Sequence, residues 1–159
     1  MHRPAWVYGP QHIAVGRNVL ALEGLWLAAE RSTWDAPSPA IEIGDGVALR
    51  PHCTISASER IVIEDDVVIA AFSTVIDSDH TWDAGHPNVL YNPSRTAPVR
   101  IGRGTWIGER VSVLRGSTIG EFCLIGANSV VRGDIPSGSI AVGAPARVVG
   151  RTDVTIRQS

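Results

Sequence analysis

Residues 101–131 read "IGRGTWIGERVSVLRGSTIGEFCLIGANSVV", and an aliphatic side chain returns at every sixth position: Ile101, Ile107, Val113, Ile119, Ile125 and Val131. Gly102, Gly108, Gly120 and Gly126 follow four of them, and a small or branched residue comes four places on, at Thr105, Val111, Ser117, Cys123 and Ser129, then Ile135. Six is even, so the aliphatic positions fit one face of a strand. An unbroken strand over this whole stretch would far exceed the usual ~5–6 residues. The chain must therefore bend. The corners fall at Arg103, Glu109, Arg115 and Glu121, beside glycine or polar neighbours that suit a turn. Three short sides close a triangular coil, in which the aliphatic side chains point inward and stack on their equivalents in the next coil, about 4.8 Å away. No segment between the sides leaves room for a crossover helix. The expected architecture is all-β, a parallel solenoid.

The same beat returns upstream at Ile43, Leu49 and Ile55 and, after a two-residue slip, at Ile63, Ile69 and Val75; Val15, Ala21 and Leu27 form a weaker first set. Three sides per coil give about five coils. The stretch "RSTWDAPSPA" is expected as a loop after the first coil, and residues 77–100 as a larger extruded loop after the third. Residues 1–12, an N-terminal arm, and residues 137–159, a cap and tail, would cover the open ends, which otherwise expose unpaired strand edges. With 159 residues and 44% apolar composition, the whole chain 1–159 reads as a single domain.

Composition removes several functions. All 14 basic residues are arginines, so a phosphate-loop lysine and a Schiff-base lysine are excluded. The formal charge of −2 comes without a basic cluster, which argues against nucleic acid as a partner. The apolar run "VLALEGLWLAAE" is cut by Glu23, so no membrane span is expected. The start "MHRPAWVYGP" lacks the apolar block of a secretory signal, and a cytoplasmic protein is the expectation. Cys53 and Cys123 read as two small buried side chains rather than a disulfide or metal site.

The segment "TWIGERVSVLRGSTIGEFCLIGANSVVRGDIPSGSIAVGAPARVVG", residues 105–150, resembles the acetyl-coenzyme A half of the hexapeptide-repeat acyltransferases, close to the galactoside, maltose and polysaccharide O-acetyltransferases. The likeness runs from Ile13 to Arg151 and implies a left-handed parallel β-helix, a hand that periodicity alone does not fix. It also implies acetyl-coenzyme A as co-substrate, no metal, a homotrimer, and a loop histidine as general base. His80 lies eleven residues after Ile69, the spacing of the galactoside and maltose enzymes, whereas His86 in "AGHPN" mimics their Gly-His-Pro triplet six residues too late. His80 is therefore the expected catalytic base. A positioned imidazole, with an ordinary pKa near 6.5, suits removal of a hydroxyl proton during attack on a thioester. Asp77, Asp79 or a backbone carbonyl would hold its other nitrogen.

By the same resemblance, Gly126, Ala127 and Arg147 match positions that grip the pantetheine arm and the nucleotide, with Arg132 and Arg151 as further candidates and Trp106 on the groove wall or packed between subunits. Arginine suits phosphate because its planar fork donates two parallel bonds. Glu109 departs from the family, which often has serine there, and is left out of the site. Arg50, in "LRPHCTI", matches the asparagine that contacts sugar in the galactoside enzymes and would favour an acceptor bearing carboxylate or phosphate. Trp82 and Tyr91 would stack on a sugar ring or pin the loop.

Other readings stay open at this point. An amino-sugar N-acetyltransferase or a serine acetyltransferase fits the same coils. A γ-type carbonic anhydrase would need His52, His80 and His86 to converge between subunits. A non-catalytic trimeric scaffold would need neither His80 nor the coenzyme motifs.

Overall fold

The structure, a computed structural model, describes residues 5–30, 39–83 and 85–153. Ile13–Val15, Leu20–Ala21 and Trp26–Ala29 are the three sides of the first coil. Ile41–Ile43, Ala48–Leu49 and Thr54–Ala57 make the second, and Ile61–Ile63, Val68–Ile69 and Thr74–Ile76 the third. Val99–Ile101, Trp106–Ile107 and Ser112–Val113 make the fourth, and Thr118–Ile119, Leu124–Ile125 and Val130–Val131 the fifth. Equivalent sides pair in parallel from coil to coil, giving three sheets around one core. The winding is the left-handed parallel β-helix, with the extruded loop after the third coil.

Pairing puts the repeated aliphatics in strict columns. Val15, Ile43, Ile63, Ile101, Ile119 and Ile135 share one register, Ala21, Leu49, Ile69, Ile107, Ile125 and Ala141 a second, and Leu27, Ile55, Val75, Val113 and Val131 a third. From the second coil onward every one of these is buried. The first coil differs. Val15 and Ala21 keep the register yet are exposed, because no described strand pairs outside theirs, whereas Leu27 is buried beneath the parallel strand Trp6–Tyr8. Of the loop expected after the first coil, residues 31–38 lie outside the described residues.

The three faces differ on their outer sides. One carries Glu42 and Arg100, ion-paired to Arg60 and Glu64, and is the charged face. The next carries Leu20, Ala48, Val68, Trp106 and Leu124 in one register, an apolar face. The third carries Trp26, Thr54, Thr74, Ser112 and Val130 in one register, with three hydroxyl residues across its middle, and is termed the hydroxyl face. The edge between the apolar and hydroxyl faces bears Arg50; the edge between the hydroxyl and charged faces releases the loop.

Corner chemistry explains the rest of the repeat. A Cβ on Gly102 would lie 2.5 Å from the Gly120 carbonyl carbon, so adjacent coils can approach only if that position is bare. The third residue after every aliphatic of the first column, and after those of the second from Ala21 to Ile125, turns into the left-handed region, with φ of 65° at Gly104 and 60° at Asn128. A residue with a Cβ held there costs roughly 1 kcal/mol or more, asparagine and aspartate least. The small interior residues then close the corner: Thr105 Oγ1 donates to the Gly120 carbonyl at 2.9 Å, and Ser73 Oγ to the Gly108 carbonyl at 2.9 Å. Cys53 and Cys123 occupy equivalent interior places, free and buried. Burial pushes the Cys53 thiol up, which makes it a packing group rather than a nucleophile.

Ile119→Ala should destabilise the fold by about 2–5 kcal/mol and Ile119→Val by about 0.5–1.5 kcal/mol, since a rigid column cannot collapse into the void. Urea unfolding of the two variants checks the order and size.

Candidate active site

The loop is pinched at its neck. Asp77 is fully buried, and its carboxylate accepts the backbone N–H groups of Ser58, Glu59 and Arg60 at 2.7, 2.8 and 2.7 Å, while its carbonyl accepts the Ala97 N–H at 2.9 Å. A corner of the second coil thus ties the start of the loop to its end. Ser78–His80 then pairs antiparallel with Ser94–Thr96. Asp79 accepts from Arg115 Nε at 2.7 Å, which fastens this ribbon to the fourth coil.

At the ribbon's tip His80 Nδ1 lies 3.3 Å from the Asn92 carbonyl. A carbonyl only accepts, so the bond requires Nδ1–H and leaves the lone pair on Nε2. Of the three partners the sequence left open, the carbonyl holds the ring, and Asp77 and Asp79 serve the loop's attachment. Asn92 is itself buried and clamped: its Oδ1 accepts the His86 N–H at 3.1 Å, and its Nδ2 donates to the His86 carbonyl at 3.2 Å. Thr81 donates from both N and Oγ1 to the Pro93 carbonyl, at 3.1 and 3.0 Å. His86 Nδ1 lies 3.0 Å from both the N–H and the carbonyl oxygen of Asn88, and its ring is edge-on to Tyr91, so it shapes the loop. Nothing in the local sequence marks Asn92, whose role depends on a closure of the loop that no spacing rule encodes.

His80 lines a cleft of about 250 Å³ with Asp79, Trp82, Arg95, Leu114, Arg115 and Arg132. The structure therefore brings His80, Trp82 and Arg132 together at the loop edge. Trp82 is 83% exposed there. Arg50, Gly126 and Ala127 stand instead at the Arg50 edge, on the corners after Ala48–Leu49 and Leu124–Ile125. Trp106, 56% exposed, stands on the apolar face between Val68 and Leu124, and Arg147 and Arg151 lie on Ala146–Arg151, antiparallel to Ser139–Gly143 at the end of that face. The hydroxyl face separates the two groups. His52 lies at the Arg50 edge, away from the loop that holds His80 and His86.

Ion pairing divides the arginines. Arg17, Arg60, Arg95, Arg100, Arg103, Arg110 and Arg115 each have a carboxylate within salt-bridge reach. Arg50, Arg132, Arg147 and Arg151 have none among the described residues. These four are the arginines singled out by sequence, and a guanidinium without a carboxylate fits a phosphate or carboxylate ligand.

Residues 98–133 match the family model described as bacterial transferase hexapeptide (six repeats). A probable acetyltransferase of Mycobacterium tuberculosis is 42% identical over 127 residues, which is 79% of this chain and 42% of that protein. The putative lipopolysaccharide biosynthesis O-acetyl transferase WbbJ of Escherichia coli is 30% identical over 154 residues, 92% of this chain and 75% of that protein. Among solved structures, a galactoside acetyltransferase in complex with coenzyme A superposes with a TM-score of 0.73 at 26% identity, covering 89% of this chain and 66% of that one. A variant of AntD, an N-acyltransferase from Bacillus cereus in complex with dTDP and coenzyme A, gives 0.80 at 21% identity, covering 94% and 78%. The chain belongs to the hexapeptide-repeat acyltransferase family. It spans less than half the length of the mycobacterial relative.

Asp77→Ala should take the acceptor from the N–H groups of Ser58, Glu59 and Arg60 and destabilise the protein by about 1–3 kcal/mol. It should also open residues 78–96 to limited proteolysis, which is the direct check on the neck.

Proposed function

We propose that the chain is a cytoplasmic, acetyl-coenzyme A-dependent O-acetyltransferase whose acceptor is a hydroxyl of a saccharide, with His80 as general base. The observation that carries this reading is the bond from His80 Nδ1 to the Asn92 carbonyl, which leaves Nε2 to take a proton in a cleft that also holds Arg132, an arginine with no carboxylate partner among the described residues. His80 Nε2 removes the acceptor's hydroxyl proton as that oxygen attacks the thioester carbonyl. Collapse of the tetrahedral intermediate breaks the carbon–sulfur bond, and the departing thiolate takes the proton from the imidazolium. The Asn92 carbonyl stabilises the imidazolium between the two transfers, much as a carboxylate would with full charge. No acyl-enzyme is required.

Gly126, Ala127 and Trp106 are the proposed contacts of the pantetheine arm, and Arg132, Arg147 and Arg151 those of the phosphates. Trp82 and Arg50 are the proposed acceptor contacts. His80 and Arg50 lie on different edges of the prism, so a site that uses both takes its halves from two chains. The apolar face supports such packing, because a patch that includes Val68 and a half-exposed Trp106 gains by leaving water, whereas the ion-paired charged face does not. A head-to-tail contact repeated by rotation closes into a ring, here a homotrimer. The naming of the Escherichia coli relative as an O-acetyl transferase supports oxygen over nitrogen as the nucleophile.

His80→Ala should reduce turnover by about 10²-fold or more with the fold intact; unchanged turnover would remove the assignment. Arg147→Ala should raise KM for acetyl-coenzyme A by roughly tenfold with little change in kcat, the pattern for a contact made equally in ground and transition states. Release of free thiol from acetyl-coenzyme A reads both.

A further inference from the structure

The left-handed corner positions along the Arg50 edge are Gly24, His52, Phe72, Arg110 and Asn128. Along the edge between the charged and apolar faces they are Asn18, Gly46, Asp66, Gly104, Phe122 and Gly138. The second series is almost wholly glycine, asparagine or aspartate, the residues that tolerate this backbone. The first is not. In the second, third and fourth coils it holds histidine, phenylalanine and arginine at φ of 61°, 61° and 53°, three costly choices in a row flanked by residues that suit the turn. Backbone strain of this kind is retained where the side chain has work to do.

These three side chains form one stack. The His52 and Phe72 rings are 5.0 Å apart and 17° from parallel, and the Arg110 guanidinium carbon lies 5.5 Å from the Phe72 centroid. A Cβ on Gly24 would run into the His52 ring, so the imidazole is bracketed on both sides. Phe72 remains 52% exposed. Arg50 stands two residues before His52, exposed and without a carboxylate among the described residues. Arg110 has its carboxylate, Glu109, no closer than 3.9 Å, and both are well exposed, a weak pairing that a ligand can displace. The stack spans the second to fourth coils, the levels that bracket the exit of the loop carrying His80.

We propose that Arg50, His52 and Arg110 form the acceptor's anion-binding strip, and that the acceptor is an acidic saccharide, bearing a carboxylate or a phosphate, rather than a neutral one. This rests on the acyltransferase reading, since it places the acceptor at the edge that meets a neighbouring chain's His80. Phe72, on the third coil, lies between the imidazole on the second and the guanidinium on the fourth. Arg50 and His52 on the second coil and Arg110 on the fourth give the strip donors at both of its ends, a spread that suits an acidic group at one end and the rest of an extended acidic saccharide along the other.

The experiment is a chemical-shift titration of the full chain with glucuronate, glucose 6-phosphate and glucose, repeated on Arg50→Gln and His52→Asn. At least one anion should saturate and shift the His52 ring signals at a concentration tenfold or more below glucose, and the tighter of the two tells carboxylate from phosphate. Arg50→Gln should weaken that anion by tenfold or more. His52→Asn should weaken it at least threefold while Tm stays level or rises, because asparagine suits the corner. Anions that bind no better than glucose, or an Arg50→Gln chain that binds them equally well, would overturn the proposal. So would a His52→Asn chain that loses stability with binding unaltered, which marks the stack as packing alone. A parallel titration with coenzyme A separates the two failures: saturable coenzyme binding leaves the acyltransferase reading standing, and none removes both.

Discussion

Parallel strands stacked at the ladder spacing leave one inward place per side and per coil, and each place must be filled by a side chain that touches its equivalents above and below. This constraint fixes the rest. It makes the aliphatic columns, it forces the chain to turn every six residues, and it gives the left-handed corners and the bare glycines that let coils approach. Because every coil obeys the same rule, outward positions are released from the fold and diverge face by face into ion pairs, apolar groups and hydroxyls. The long departure at residues 77–98 is tolerated because Asp77 satisfies a corner of the previous coil while the loop is away.

The division of the site between two edges follows from that geometry. A triangular prism cannot fold one edge onto another, so the proposed base and the proposed coenzyme and acceptor contacts at the Arg50 edge meet only if chains meet. Rigidity along the axis would then set distances within the proposed shared groove: each step of one coil moves a contact by about 4.8 Å. In the proposed groove, Arg50 in the second coil, a neighbour's His80 loop after the third, and Gly126 and Ala127 in the fifth would follow one another along the axis, with the proposed acceptor toward the N-terminal end and the proposed coenzyme toward the C-terminal end.

Much of this was legible in the sequence for a physical reason. Period and burial are the same fact in a solenoid, so Ile101 to Val131 could be placed in columns before any coordinate was known, and the slip before Ile63 marked the passage between coils. The four arginines that have no carboxylate partner among the described residues were also singled out beforehand, although by resemblance rather than by any rule of charge. What stayed hidden depends on contacts distant in sequence. Asn92 holds His80 only because the loop closes across Thr81 and Pro93, Asp77 acts on a corner of the previous coil, and the stack of His52, Phe72 and Arg110 joins residues that no local pattern relates. The exposure of Val15 and Ala21 is likewise set by what lies beyond them, not by their own register.

The central claim is that neither edge is competent alone. Two chains, one carrying His80→Ala and the other Ala127→Asp, should each be nearly inactive with acetyl-coenzyme A and a turned-over acceptor. Co-expressed, they should form mixed oligomers in which an intact His80 from one chain faces an intact Arg50 edge from its neighbour, and thiol release should return to a substantial fraction of the unaltered protein's rate. Mixed oligomers that form and stay as inactive as their parents would contradict the shared site.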